Sequence, residues 1–164
     1  MLTTLALALA SSAAAPLPAA PAKPTLTEIV LKSGGEFDQN RFDYDILLNA
    51  VVTADLADAL NDPNDDLTLF APNDFAFIRL ARDLGYQGFS EEGAWNAIVD
   101  ALTTLGGGDP KPILTQVLLY HVAPESLNPL QVIFSSTIDT LQGGVIRPFF
   151  IVLRDEEPDL RNPL

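Results

Sequence analysis

The sequence predicts an α+β fold in one domain, and three observations carry that expectation. Apolar residues recur at helical spacing through most of residues 25–121, a single β-favouring run, Thr68-Leu69-Phe70, interrupts them, and after Pro124 the character changes to short β-like runs. Helices first and strands later, with one strand between, is not the alternation of βα units. No self-similarity of the solenoid kind, with a period of about 20–50 residues, is present. At 164 residues and 48% hydrophobic content the chain can build one sizeable core and not two.

In chain order, residues 1–22 precede the domain and residues 25–164 form it. A first helix is expected from Thr25 or Thr27, burying Leu26, Ile29, Val30 and Leu31 and stopped by Ser33-Gly34-Gly35. Glu36–Asp43 reads as an acidic loop. From Tyr44 the pattern Leu47, Leu48, Val51, Val52, Leu56, Leu60 is helical, with a break at Thr53–Asp55 where Asp55 would cap a second short helix. A polar turn cluster, residues 61–66, leads into Thr68-Leu69-Phe70, read as a short buried strand. Pro72 fixes its own φ and pushes Ala71 toward extended geometry, ending that strand. Asn73 and Asp74 suit an N-cap and a first helical turn, and Phe75, Ile78, Leu80, Ala81 and Leu84 follow at helical spacing as far as Gly85. Ser90-Glu91-Glu92-Gly93 caps the next helix, carrying Trp95, Ile98, Val99, Leu102 and Leu105, and Gly106–Pro110 ends it. Another helix runs from about Pro112 to His121. Val132-Ile133-Phe134 and Ile138–Leu141 then read as strands, and Gln142-Gly143-Gly144 turns into Val145–Leu153, a strand that Pro148 bends or confines to an edge.

Two of these segments carry a family resemblance. Thr68-Leu69-Phe70-Ala71-Pro72-Asn73-Asp74-Phe75-Ala76-Phe77 resembles the first signature of the fasciclin domain family, and Val117–Glu125, with Tyr120-His121-Val122 at its centre, resembles that family's tyrosine–histidine motif. Together, in this order, they cover a resemblance over roughly residues 25–153. It implies a wedge of two β-sheets with helices packed at one side, and a role in adhesion or extracellular-matrix interaction without catalysis. It also implies that Thr68, Phe70, Pro72, Asn73, Asp74, Phe77, Tyr120 and His121 shape the signature region. The family's third signature, Asn-Gly and a His or Gln before Ile-Asp, has no counterpart in Asp155–Leu164. The C-terminal strands are therefore expected to be missing, which would leave a sheet edge unpaired.

Charge and composition narrow the partners. A net charge of −13 repels phosphate backbones, so no nucleic-acid partner is expected. No cysteine is present, which removes disulfides, thiol catalysis and thiolate metal sites. Residues 1–22 carry no charge, and Leu2–Ala10 resembles the apolar core of a secretory signal, too short for a span of about 20 helical residues. Small residues after it offer cleavage following Ala14 or Ala22, and Pro16–Pro24 reads as an extended linker. No later stretch suits a membrane anchor. The expected location is secreted or periplasmic, in a bacterial setting, with a protein or polysaccharide partner at the cell surface or matrix.

His121 is the sole histidine, so any imidazole chemistry must pass through it. No G-x-S-x-G is present, Gly88–Gly93 being better read as a helix cap, and one histidine without cysteine makes a poor zinc site. The favoured reading is a helix-ending imidazole bonded to a partner within the fold. Asp62, Asn64 and Asp66 have the spacing that begins a calcium loop, but Leu67 stands where the loop needs glycine and Asn73 where it needs glutamate. Together with Asn73 and Asp74 they read as a solvated acidic turn, with weak calcium binding as the alternative. Glu36, Asp38, Asp43 and Asp45 are weighed the same way. Trp95 reads as core, and Gly106-Gly107-Gly108 lacks the Lys-Ser/Thr of a phosphate loop. No catalytic residue, metal ligand or cofactor is assigned. The competing readings are a small extracytoplasmic hydrolase or glycan-processing enzyme using His121 with a carboxylate, and an incomplete domain inactive until a partner supplies strands.

Overall fold

The computed structural model describes residues 24–62, 65–149 and 152–154. The leader and linker expected at residues 1–22, the outer residues of the polar turn at 63–64 and the segment Asp155–Leu164 lie outside the described residues. Among the described residues, six helices and five short strands occur in an α+β order, as the sequence predicts.

Helix α1 (Leu26–Ser33) begins in a reciprocal cap: Glu28 N–H donates to Thr25 Oγ1 at 3.2 Å, and Thr25 N–H donates to Glu28 Oε2 at 3.3 Å. It buries Val30 alone, whereas Ile29 and Leu31 face outward, contrary to the expected face. Helix α2 (Asp45–Thr53) has no side-chain cap of its own at Tyr44. The expected second helix after it does not form. Residues 54–60 are turns, and Asp55 takes a left-handed φ of 54° and pairs with Lys111 rather than capping.

Strand β1 (Thr68–Leu69) is half-buried rather than buried, and it leads through Pro72 into helix α3 (Asp74–Asp83). Phe77, Ile78 and Ala81 form the inner face of α3, while Phe75 and Leu84 are exposed, so the helix is rotated from the expected phase. Helix α4 (Glu91–Leu105), capped by Ser90, buries Ala94, Ile98 and Leu102 but exposes Leu105. Helix α5 (Lys111–Tyr120) ends at His121.

Strand β2 (Val122–Ala123) pairs antiparallel with β1, matching Thr68 to Ala123 and Leu69 to Val122. The run expected as a strand at Val132–Phe134 is instead helix α6 (Pro129–Phe134). Local capping overrides the β-branched residues there: Asn128 and Gln131 cap each other reciprocally, and Pro129 brings the helical φ of a first turn.

Strand β3 (Ile138–Asp139), β4 (Val145–Phe149) and β5 (Val152–Arg154) make a second antiparallel sheet in the order β3-β4-β5. Val145–Leu153 is thus a hairpin and not one bent strand, and β4 is the middle strand rather than an edge. Pro148 is tolerated because β3 pairs only with Val145 and Ile146, so at Pro148 the strand has a ladder partner on the β5 side alone.

One apolar cluster joins α1 to α5, with Ile46, Leu47, Ala50, Ala81 and Ala94 fully enclosed. A smaller cluster of Tyr120, Ala123, Ile138 and Ile146, with Phe70, Leu127 and Val132 around it, ties the second sheet to the signature strands. Leu141 N–H donates to Val122 O at 2.8 Å, stitching the two sheets together.

Candidate functional site

The two signature segments, about fifty residues apart in sequence, meet edge to edge. Beyond the β1–β2 pairing, Phe70 N–H donates to His121 O at 2.8 Å. Thr68 donates through Oγ1 to Glu125 O at 2.7 Å and accepts from Leu127 N–H at 2.8 Å, so one hydroxyl pins the loop beyond the second signature. Phe70 packs into the smaller cluster and Phe77 into the larger, so the first signature bridges both.

Tyr120 is 5% exposed, and its phenol donates to Val145 O at 3.2 Å. Gly144 lies so close that a Cβ there would come within 2.9 Å of the Tyr120 ring. His121 stacks edge-on to Tyr120, with centroids 5.8 Å apart at 81°, and its Nδ1 sits 2.8 Å from Val117 O. A carbonyl oxygen can only accept, so the tautomer with hydrogen on Nδ1 is the one the contact requires.

Asn73 caps its own helix as the sequence predicts, accepting from Ala76 N–H at 3.1 Å. Asp74 does something else. Its carboxylate reaches back to the N-terminus of α2, where Oδ2 accepts from Asp45 N–H at 3.1 Å and Oδ1 from Ile46 N–H at 2.8 Å. It is the cap that Tyr44 cannot be. In return the 41–43 loop covers the first N–H groups of α3, with Asp74 N–H donating to Asp43 O and Phe75 N–H to Arg41 O.

A group of carboxylates gathers at this exchange. Asp74 is fully buried, and burial, together with the hydrogen bond and charge of Asp43 beside it, pushes its pKa up to about 7. Asp45 and Glu91 are also buried, and each is raised, first by burial and then by neighbouring acids. Glu91 Oε2 accepts from Asp38 N–H at 2.7 Å, and an Asp45 oxygen accepts from Gly35 N–H. The expectation of a solvated acidic segment therefore fails at Asp45, which is 1% exposed. Glu91 was readable only as a first-turn helix residue; nothing local signals its reach to Asp38. A separate shallow cavity of about 260 Å³ is lined by Arg79, Arg82, Asp83, Tyr86 and Gln87, away from both His121 and the acids.

A domain whose paired signature segments form its structural hinge-pin is thereby defined by architecture more than by a cleft. The fasciclin domain model matches residues 42–154, most of the chain, and the chain belongs to the fasciclin domain family. No curated protein matches it.

Proposed function

We propose that this chain is a secreted or periplasmic fasciclin-like domain that acts without catalysis, in adhesion or in contact with matrix or cell-surface protein or polysaccharide. The observation that carries the reading is the use of the signature polar groups inside the fold. Thr68, Asn73, Asp74 and Tyr120 each hold a main-chain partner, and His121 holds Val117 O. The loops around the two signatures are left as the recognition surface. No helix of the described residues is long and apolar enough to cross a membrane, which agrees with an exported domain free of a helical anchor in that region. Family membership supports surface interaction by analogy.

Immobilised folded protein, challenged with cell-envelope polysaccharide and with matrix protein at physiological salt, should bind one of them saturably. The reading gives way to the hydrolase alternative if a screened ester or glycan is turned over and His121→Ala abolishes that turnover while leaving the melting temperature in place.

A further inference from the structure

The acids beside the α2 N-terminus are built as a ligand set, independently of the adhesive role. Asp38, Asp43 and Asp45 each bring a carboxylate oxygen within 4.8 Å of the others, and Asp43, Asp74 and Glu91 form a second such set sharing Asp43. Oxygens within 4.8 Å of one another are close enough to share one cation whose oxygen ligands lie at about 2.4 Å.

A second observation points to an occupant. The buried oxygen Asp45 Oδ2 has no hydrogen-bond partner, and Asp45 is only 1% exposed. A buried unpaired carboxylate oxygen is costly, and a native fold seldom leaves one without a proton, a cation or water. Among the described residues no lysine or arginine nitrogen lies within salt-bridge distance of any of the five acids. No cationic side chain among the described residues meets that charge. Asp38 is exposed, Asp43 half-buried and Asp45 buried, so the set runs from solvent to a buried carboxylate.

We propose that Asp38, Asp43 and Asp45 bind a calcium ion, with Asp74 and Glu91 in the adjoining set behind them. Carboxylates from one loop and the α2 N-terminus would close around the ion, water completing its shell on the exposed Asp38 side. Bound calcium would tie the 34–44 loop to α2, and through the Asp74 cap to the first signature.

The test uses the full chain freed of divalent ions with EDTA and dialysed at pH 7.5 in 0.15 M KCl. Calcium chloride is titrated by calorimetry, and melting temperatures are read with CaCl2 or MgCl2 at equal concentration. Because a protein of charge −13 gains from any divalent counter-ion, magnesium is the control for screening. With an affinity of the extracellular class, 10 mM calcium should raise the melting temperature by about 5 °C or more. Magnesium should give less than half of that. Asp38→Asn, at an exposed position, should keep the calcium-free melting temperature and weaken calcium binding about tenfold. Asp45→Asn, which retains an acceptor for Gly35, should weaken it further. The site is refuted if calorimetry shows no saturable calcium binding. It is refuted equally if calcium and magnesium shift wild type and Asp38→Asn alike, since Asp38→Asn removes a ligand without touching the core.

Discussion

The signature junction and the acid pocket lie at opposite ends of the same ten-residue segment, and they treat polar groups in opposite ways. At the junction, Thr68, Tyr120 and His121 each meet a neutral main-chain partner, and the contacts are backed by Phe70, Ile138 and Ile146. Each bond there contributes its ordinary ~1 kcal/mol and leaves no charge behind. In the pocket, three carboxylates, Asp45, Asp74 and Glu91, are buried around Asp43, and the N–H groups they accept from do not cancel their charge. Capping is the shared device, because Asn73 and Asp74 are adjacent residues that both serve helix N-termini. The neutral amide does so without consequence; the carboxylate, aimed at another helix beside other acids, stores repulsion. The junction is a site of stability and the pocket a site of response.

That contrast breaks most visibly at Tyr120. Tyr120→Ala removes a buried ring from the smaller cluster and should cost about 3–5 kcal/mol in chemical denaturation. Tyr120→Phe keeps the ring and loses only the bond to Val145, so about 1 kcal/mol is expected. A Phe variant as damaged as the Ala variant would show that the phenol, and not packing, holds the sheets together. Asn73→Ala should cost about 1 kcal/mol at every pH between 5 and 8, the value of an ordinary lost N-cap. If that cost changed with pH, the junction and pocket would not be separable.

Features that depend on near neighbours were legible in the sequence, and those that depend on distant ones were not. The proline stop, the Asn73 cap, the Ser90 cap and the helix ending at His121 each follow from residues within four positions. The resemblance of a ten-residue and a nine-residue segment was enough to name the family. The target of Asp74 was hidden because Asp45 and Ile46 lie twenty-nine and twenty-eight residues before it. Glu91 and Asp38, fifty-three residues apart, were hidden in the same way. Helix α6 failed for another reason: Val132-Ile133-Phe134 was weighed by β-propensity, while the deciding signal was Asn128-Pro129 with Gln131 three residues after the cap. The inward turn of Phe77 rather than Phe75 reflects the phase of α3, which the spacing of apolar residues left open because both positions are phenylalanine.

Asp74→Asn is expected to cost about 1 kcal/mol at pH 5 and less at pH 8, and that difference is the sharpest statement of what the pocket does. The folded-state pKa of Asp74 is raised from 3.8 to about 7, chiefly by burial and then by Asp43, while Asp45 and Glu91 move in the same direction. A folded protein with raised acid pKa values binds more protons than its unfolded chain between those limits, so stability falls as pH climbs from about 4 to 7. Without divalent ions, the melting temperature of the wild type should therefore be higher at pH 5 than at pH 8. At pH 5 Asp74 is mostly protonated, and asparagine keeps an acceptor for Ile46 N–H but sets an amide nitrogen, which cannot accept, against Asp45 N–H, so one cap bond is lost. At pH 8 asparagine also removes a charge beside Asp43 and Glu91, which offsets the lost bond, so the deficit against wild type should shrink or reverse. Thermal melts of both proteins in EDTA across this range provide the measurement. An unchanged pH slope in Asp74→Asn would move the stored repulsion off Asp74 and onto Asp45 or Glu91, and would leave the carboxylate as a cap no different in kind from Asn73.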